Sequence, residues 1–205
     1  MSLQLVGMLD SPYVRRVAVA LQLLELPYQH RPLSVFRDAE AMSRINPVTK
    51  VPALVCEDGQ VLLDSTLIIA YLEERAGREL LPTEAAARLR ERRLVGLALV
   101  ACEKAVQWVY ERDLRPPERL HVPWLERVQG QLAAAWRSLE QALAEAPLPH
   151  GAAADVGQAA LSLAVAWRFT RQLLPGALDP AMYPRTQALA DALEAMPAFR
   201  AVPHD

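Results

Sequence analysis

The chain is predicted to be a two-part protein, an α/β layer followed by an all-α segment. Three observations carry that expectation. Strand and helix signals alternate up to about residue 77. No convincing strand period follows residue 84. The later apolar residues recur every three or four positions, the period of a helix that buries one face.

Leu3, Leu5 and Gly7 alternate with Gln4, Val6 and Met8, which predicts a short buried strand. Pro12 opens a helix through Val17, Leu21 and Leu24, since a proline at the first helical position gives up an N–H that has no partner there. Pro27 ends it. Tyr28 to Leu33 reads as a second strand, and Pro32 places it at an edge. Asp38 to Arg44 is a short helix closed by Asn46-Pro47. Ala53 to Cys56 and Gln60 to Leu63 flank Asp58-Gly59, a hairpin signal because both residues tolerate positive φ. Asp64 or Ser65 can cap the next helix, which Gly77 closes. The predicted order is β-α-β-α-β-β-α.

Leu80-Leu81-Pro82-Thr83 joins a first domain, residues 1–78, to a second, residues 84–205. Arg88 to Arg112 is helical in period and is broken by Pro116-Pro117. Leu125, Val128, Leu132, Trp136, Leu139 and Leu143 mark the clearest amphipathic helix. Asp155 to Leu174 is apolar nearly all round and is expected to be the central helix. Pro184 to Met196 gives one more, and the tail ends with Phe199 and Pro203.

With 205 residues, 52 % of them hydrophobic, the chain can bury a sizeable core. A net charge of −2 gives no electrostatic reason to expect nucleic acid or an anionic membrane surface. Arg88, Arg90, Arg92 and Arg93 read as a solvated helix face. Cys56 and Cys102 are far apart, and no Cys–His spacing resembles a zinc site, so no metal is expected. The N-terminus has no basic residue ahead of a long apolar run, and the later apolar stretches are too short to span a bilayer. A reducing, cytoplasmic setting is expected.

Three short stretches carry the chemistry. Ser11 lies between a strand and a helix. It can act as a plain N-cap, or its hydroxyl, beside the positive end of the helix, can donate to a thiolate. Val51-Pro52 precedes a strand; a cis bond there would turn the Val51 backbone outward to pair with an extended peptide, with Lys50 alongside to meet a carboxylate. Asp64-Ser65 starts the third helix. Either both residues serve the cap, or the acid meets an ammonium while the hydroxyl and its N–H hold a carboxylate. No His–Asp pair accompanies Ser11, so a hydrolase triad is unsupported.

In order and spacing, Ser11-Pro12-Tyr13-Val14-Arg15, Asn46-Pro47-Val48-Thr49-Lys50-Val51-Pro52-Ala53-Leu54 and Leu63-Asp64-Ser65 resemble the glutathione S-transferase family, in its bacterial form with serine-type thiol activation. The resemblance covers the whole chain. It implies a thioredoxin-like N-terminal domain, a C-terminal helical bundle and glutathione as co-substrate. Ser11 would stabilise the cysteinyl thiolate, and Val51, before a cis Pro52, would pair with the cysteinyl backbone. Asp64 and Ser65 would hold the γ-glutamyl head. Lys50, with Arg37 as a further candidate, would reach the glycyl carboxylate. Trp108, Tyr110 and Trp167 are candidates for a second-substrate pocket.

The implied activity is conjugation to small, hydrophobic electrophiles, a detoxification chemistry, or a related peroxidase-like reaction in a cytoplasmic homodimer. The alternative is a non-catalytic glutathione-binding or interaction module of the same fold. Serine at position 11, where thiol-disulfide members carry cysteine, disfavours disulfide chemistry. Met8-Leu9-Asp10-Ser11 stands where the isomerase branch carries Ser-Ser-x-Ser, which disfavours isomerisation. Ala152 stands where the family carries a hydroxyl cap three residues before Asp155, an omission that costs about 1 kcal/mol.

Overall fold

In the computed structural model, which describes residues 2–204, the chain divides into two units. One holds the chain up to Leu80 together with the segment from Ala195 onward; the other is Leu81–Glu194.

Up to Leu80 the first unit runs in the predicted order: β1 (Leu3–Val6), α1 (Pro12–Leu23), β2 (Tyr28–Arg31), α2 (Ala39–Ile45), β3 (Ala53–Val55), β4 (Val61–Leu63) and α3 (Ser65–Ala76). The sheet order is β2-β1-β3-β4, with β1 parallel to β2 and antiparallel to β3, and β3 antiparallel to β4. β2 is an edge strand that stops just before Pro32, as a residue without an N–H requires. Register sorts the side chains. Val6, Ala53 and Leu63 share one face, where Met42 of α2 covers them. Leu5 and Leu54, both fully buried, pair on the other face, left to α1 and α3. This is the thioredoxin-like arrangement.

Just past β1 the backbone makes a close approach that only glycine permits. Gly7 has φ +135°, and a Cβ there would lie 2.5 Å from Val14 Cγ2 and 3.0 Å from Val51 Cβ. The missing side chain lets the first turn of α1 and the loop before β3 close on the same point.

The tail departs from the expected boundary at residue 84–205. Beyond Glu194 the chain belongs to the first unit, where α8 (Pro197–Arg200) packs on α1. Phe199 is fully buried there, and the buried Arg15 guanidinium lies 5.9 Å from its ring while donating from Nε to Val202 O at 2.9 Å. A short apolar tail cannot announce a partner this distant in sequence.

The second unit holds α4 (Ala85–Leu114), α5 (Val122–Glu145), α6 (Gln158–Leu173) and α7 (Pro184–Glu194). Its centre is aromatic: Trp136 and Trp167 meet edge to face at 4.9 Å, and Tyr183 packs on Trp167 at 5.6 Å. Two expected helix starts move. α4 begins at Ala85, because the Glu84 carboxylate accepts from Ala86 N and Ala87 N, a cap that helical periodicity cannot show. α6 begins at Gln158 rather than Asp155. Residues Ala153–Asp155 form a 3-10 turn instead, in which Asp155 Oδ2 accepts from Ala152 N at 3.0 Å. The acid half of the family's capping arrangement is thus present without the hydroxyl half. The arginine run is also only partly solvated, since Arg90 donates to Ala142 O and Ala146 O at the end of α5. No helix is long and apolar enough to cross a membrane among the described residues.

Candidate functional site

All three chemical stretches fall in the first unit. Ser11 is the N-cap of α1, half-buried, with φ −71° and ψ 122°. Its Oγ accepts from Val14 N at 3.4 Å, a long bond for this pair of atoms. Acceptance there leaves the hydroxyl proton free to point elsewhere. The first turn of α1 carries no acidic side chain to offset the positive end of the helix, and Pro12 contributes no N–H of its own. An anion placed beside Ser11 meets one hydroxyl donor and the helix end.

The loop before β3 is organised by Asn46, buried to 3 % exposure. Its Nδ2 donates to Lys50 O at 2.9 Å, its Oδ1 accepts from Val48 N at 3.1 Å, and its backbone O accepts from Thr49 N at 2.8 Å. These bonds hold the turn that delivers Lys50 and Val51. The Val51–Pro52 peptide bond is cis. Lys50 is exposed, and Gly7 sets Val51 against Val14.

Asp64 and Ser65 share the start of α3 but do different work. Asp64 is the N-cap at φ +69°, a conformation Asp tolerates better than most residues. Its Oδ1 accepts from both Thr66 N at 2.8 Å and Leu67 N at 3.2 Å, so Oδ2 is left for an external donor. Ser65 is 4 % exposed, and its Oγ accepts from Arg16 Nη1 at 3.0 Å. The same nitrogen donates to Thr66 Oγ1 at 3.0 Å. Arg16 is itself buried on α1, so a guanidinium lies under the beginning of α3 and adds to its positive end. The Arg16 contact spans 49 residues and ties α1 to α3.

Sequence reasoning missed Arg16, Asn46 and Gly7 as parts of this arrangement. Asn46 alone had a local signal, its place before Pro47. Arg37 is exposed in the loop ahead of α2, its backbone N–H donating to Ser34 Oγ. The second-substrate candidates separate. Trp167 is 2 % exposed and its Nε1 donates to Gln187 Oε1 at 2.9 Å, so it is a core residue and not a pocket wall. Tyr110 is exposed near the end of α4. Trp108 lines a cleft of about 700 Å³ with Arg112, Gln129, Leu132, Leu174 and Leu178.

Fold and site together define a class: a thioredoxin-like domain with a serine at the start of its first helix, followed by a helical unit. The known proteins most useful for comparison agree. Residues 5–80 match the family model described as glutathione S-transferase, N-terminal domain. A Pseudomonas aeruginosa protein named maleylacetoacetate isomerase is 32 % identical, over 90 % of this chain and 88 % of its own length. The crystal structure of a glutathione transferase family member from Pseudomonas fluorescens with bound glutathione is 34 % identical, with a TM-score of 0.84 and full coverage of both chains. A glutathione S-transferase from Methylobacterium radiotolerans, in complex with glutathione sulfonate, superposes with a TM-score of 0.89 at 25 % identity, over 100 % of this chain and 96 % of that one. The chain belongs to the glutathione S-transferase family.

Proposed function

We propose that this chain is a glutathione transferase that joins the sulfur of glutathione to small hydrophobic electrophiles. The observation that carries the reading is the start of α1, where Ser11 offers a hydroxyl donor beside a helix end with no acidic side chain in its first turn. Ser11 stabilises the cysteinyl thiolate. The Val51 backbone pairs with the cysteinyl residue, Asp64 Oδ2 takes the α-ammonium, and the Ser65 hydroxyl donates to the α-carboxylate. Lys50, and Arg37 beyond it, face the glycyl carboxylate. The thiolate attacks the electrophilic carbon; a C–S bond forms, and the leaving group departs with its electron pair or, in an addition, the adjacent carbon takes a proton. Rate comes from a thiol already deprotonated and from holding two reactants together. In the helical unit, Trp108 and its cleft take the apolar part of the second substrate. The reaction needs a reduced thiol, which fits a cytoplasmic setting.

A second reading draws its support from the names of relatives, among them the Pseudomonas aeruginosa protein and a probable maleylacetoacetate isomerase from Drosophila melanogaster. In an isomerase the thiolate would add to a double bond and leave again, so glutathione would be returned. The two readings differ in what happens to the thiol. With an aromatic halide, the transferase consumes one glutathione per product; with maleylacetoacetate, an isomerase forms product and leaves total thiol constant. Ser11→Ala is expected to lower conjugation about a hundredfold, as removal of one preorganised donor to a developing anion does. Glutathione binding should remain largely intact. Unchanged turnover in Ser11→Ala would assign thiol activation to another group.

A further inference from the structure

We infer that His30 is a positioning residue for the reaction: from the edge strand it fixes the turn that presents Ser11, an inference that rests on the reading of Ser11 as the donor to the thiolate. His30 Nε2 lies 2.8 Å from Gly7 O, and the ring is half-buried on β2. A carbonyl oxygen only accepts, so Nε2 carries a proton and donates. The bond lies outside the sheet ladder. It runs from a side chain of the edge strand to the backbone just past the end of β1.

Gly7 is the loosest point of the turn between β1 and α1, since a residue without a Cβ imposes little on its own φ and ψ. Two adjacent residues of β2 remove that freedom. Gly7 N donates to Arg31 O at 3.0 Å, which fixes the peptide before the glycine, and His30 fixes the peptide after it. That second peptide is planar, so its carbonyl cannot turn without moving Met8. Met8 O in turn accepts from Ser11 N at 3.2 Å, and Ser11 O accepts from Arg15 N at 2.9 Å in α1. His30, Gly7, Met8 and Ser11 thus form one relay from the sheet edge to the helix start. The same glycine is the contact point of Val14 and Val51: a Cβ on it would lie 2.5 Å from the first side chain and 3.0 Å from the second. Its position therefore sets the gap between the first turn of α1 and the Val51 backbone, the two groups proposed to hold the cysteinyl residue. A histidine that merely stabilised the sheet edge would affect melting and leave the bound thiol alone. One that sets this gap changes how the thiol ionises.

The test measures two quantities in the full chain: ionisation of the bound glutathione thiol, read by thiolate absorbance, and turnover with an aromatic halide. His30→Leu, which has no donor, is expected to lower turnover about tenfold by displacing Ser11 from the sulfur, and to move ionisation of the bound thiol towards that of free glutathione. His30→Gln keeps an N–H within reach of Gly7 O and should restore most of both. On a Ser11→Ala background His30→Leu should change neither, because its effect passes through the Ser11 hydroxyl. Circular dichroism follows the folding of each variant. If His30→Leu fails to fold, His30→Asn, polar but too short to reach Gly7 O, takes its place against His30→Gln. Wild-type ionisation in His30→Leu, no recovery in His30→Gln, equal behaviour of the Asn and Gln variants, or an undiminished loss on the Ser11→Ala background would overturn the inference. An effect of Ser11→Ala without one of His30→Leu removes His30 alone. A bound thiol indifferent to Ser11→Ala removes the thiol-activation reading itself, and His30 with it.

Discussion

Asp64 caps α3 and, in the proposed function, would bind glutathione with the same carboxylate. Oδ1 closes the start of α3 with two backbone bonds, and Oδ2 takes part in neither. Replacing it by alanine would confuse the two roles, because a lost cap alone costs about 1 kcal/mol. Asn caps a helix as well as Asp does and tolerates the same positive φ. Asp64→Asn is therefore expected to keep the melting temperature while weakening glutathione binding by about tenfold or more, the worth of one charge-assisted bond. Unaltered affinity in Asp64→Asn would remove the acid from the site. Ser11, Asp64 and Ser65 were legible in the sequence because a polar residue between a strand signal and a helix signal has few things to be. Arg16 was not. Its position on α1 reads as one of two adjacent cations on an otherwise apolar helix, and its role exists only once folding brings Ser65 within 3.0 Å.

Among the elements of the helical unit, two helix starts are completed by carboxylates from a different helix. Glu91 of α4, 7 % exposed, accepts from Ala159 N at 2.8 Å in the first turn of α6, where the cap residue Gly157 has no side chain to offer. Its neighbour Arg90 donates to carbonyls at the end of α5, so adjacent residues of α4 satisfy helix ends of opposite polarity. Glu140 of α5 accepts from Arg185 N, Thr186 N and Thr186 Oγ1 at the start of α7. Burial, only partly offset by the Ala159 bond and by Arg90, raises the Glu91 pKa above the ordinary 4.5. Burial works against ionisation of Glu140 too, but the bonds from Thr186 and Arg185 outweigh it and its pKa falls.

The pH signatures of the two caps are therefore opposite. Folded Glu91 holds its proton more tightly than the unfolded chain does. Its titration therefore favours the fold most below 4.5, and that contribution declines as pH rises through the raised value. Glu140 contributes above 4.5 and loses its contribution as pH falls through its lowered value. Glu91→Gln keeps an acceptor for Ala159 N and removes the buried charge. It is expected to match or exceed the wild type in urea stability at neutral pH and to lose the decline above 4.5. Glu91→Ala leaves the N–H unpaired and should cost about 1–3 kcal/mol. Equal losses in both variants would show that the charge itself is required. Helix existence was readable from periodicity, but the start of α6 depends on the remote Glu91 and the start of α4 on the Glu84 cap, and neither shows in the period.

At the level of the whole molecule, the two-part architecture followed from the change in hydrophobic period near residue 80, a property summed over many residues and so hard to miss. The last segment was misplaced because its contacts lie at the far end of the chain: Val202 meets Arg15 across 187 residues. Each unit leaves large apolar side chains in the open, Val48 and Leu67 in the first and Leu89 in the second, at 69 %, 67 % and 71 % exposure. Scattered side chains of this kind are ordinary on a protein surface, and the homodimer is an expectation carried by the family resemblance alone. Sedimentation velocity at micromolar concentration is expected to give twice the chain mass, and a monomer there would contradict it.

The central claim is that the start of α1 makes the sulfur of bound glutathione a thiolate at neutral pH. Titration of the enzyme–glutathione complex, followed by thiolate ultraviolet absorbance, measures this directly. The bound thiol is expected to ionise well below the value of about 8.5 typical of a free cysteine thiol, and to return towards it in Ser11→Ala. A bound thiol that titrates like the free one, or that ionises identically with and without the Ser11 hydroxyl, would contradict the account.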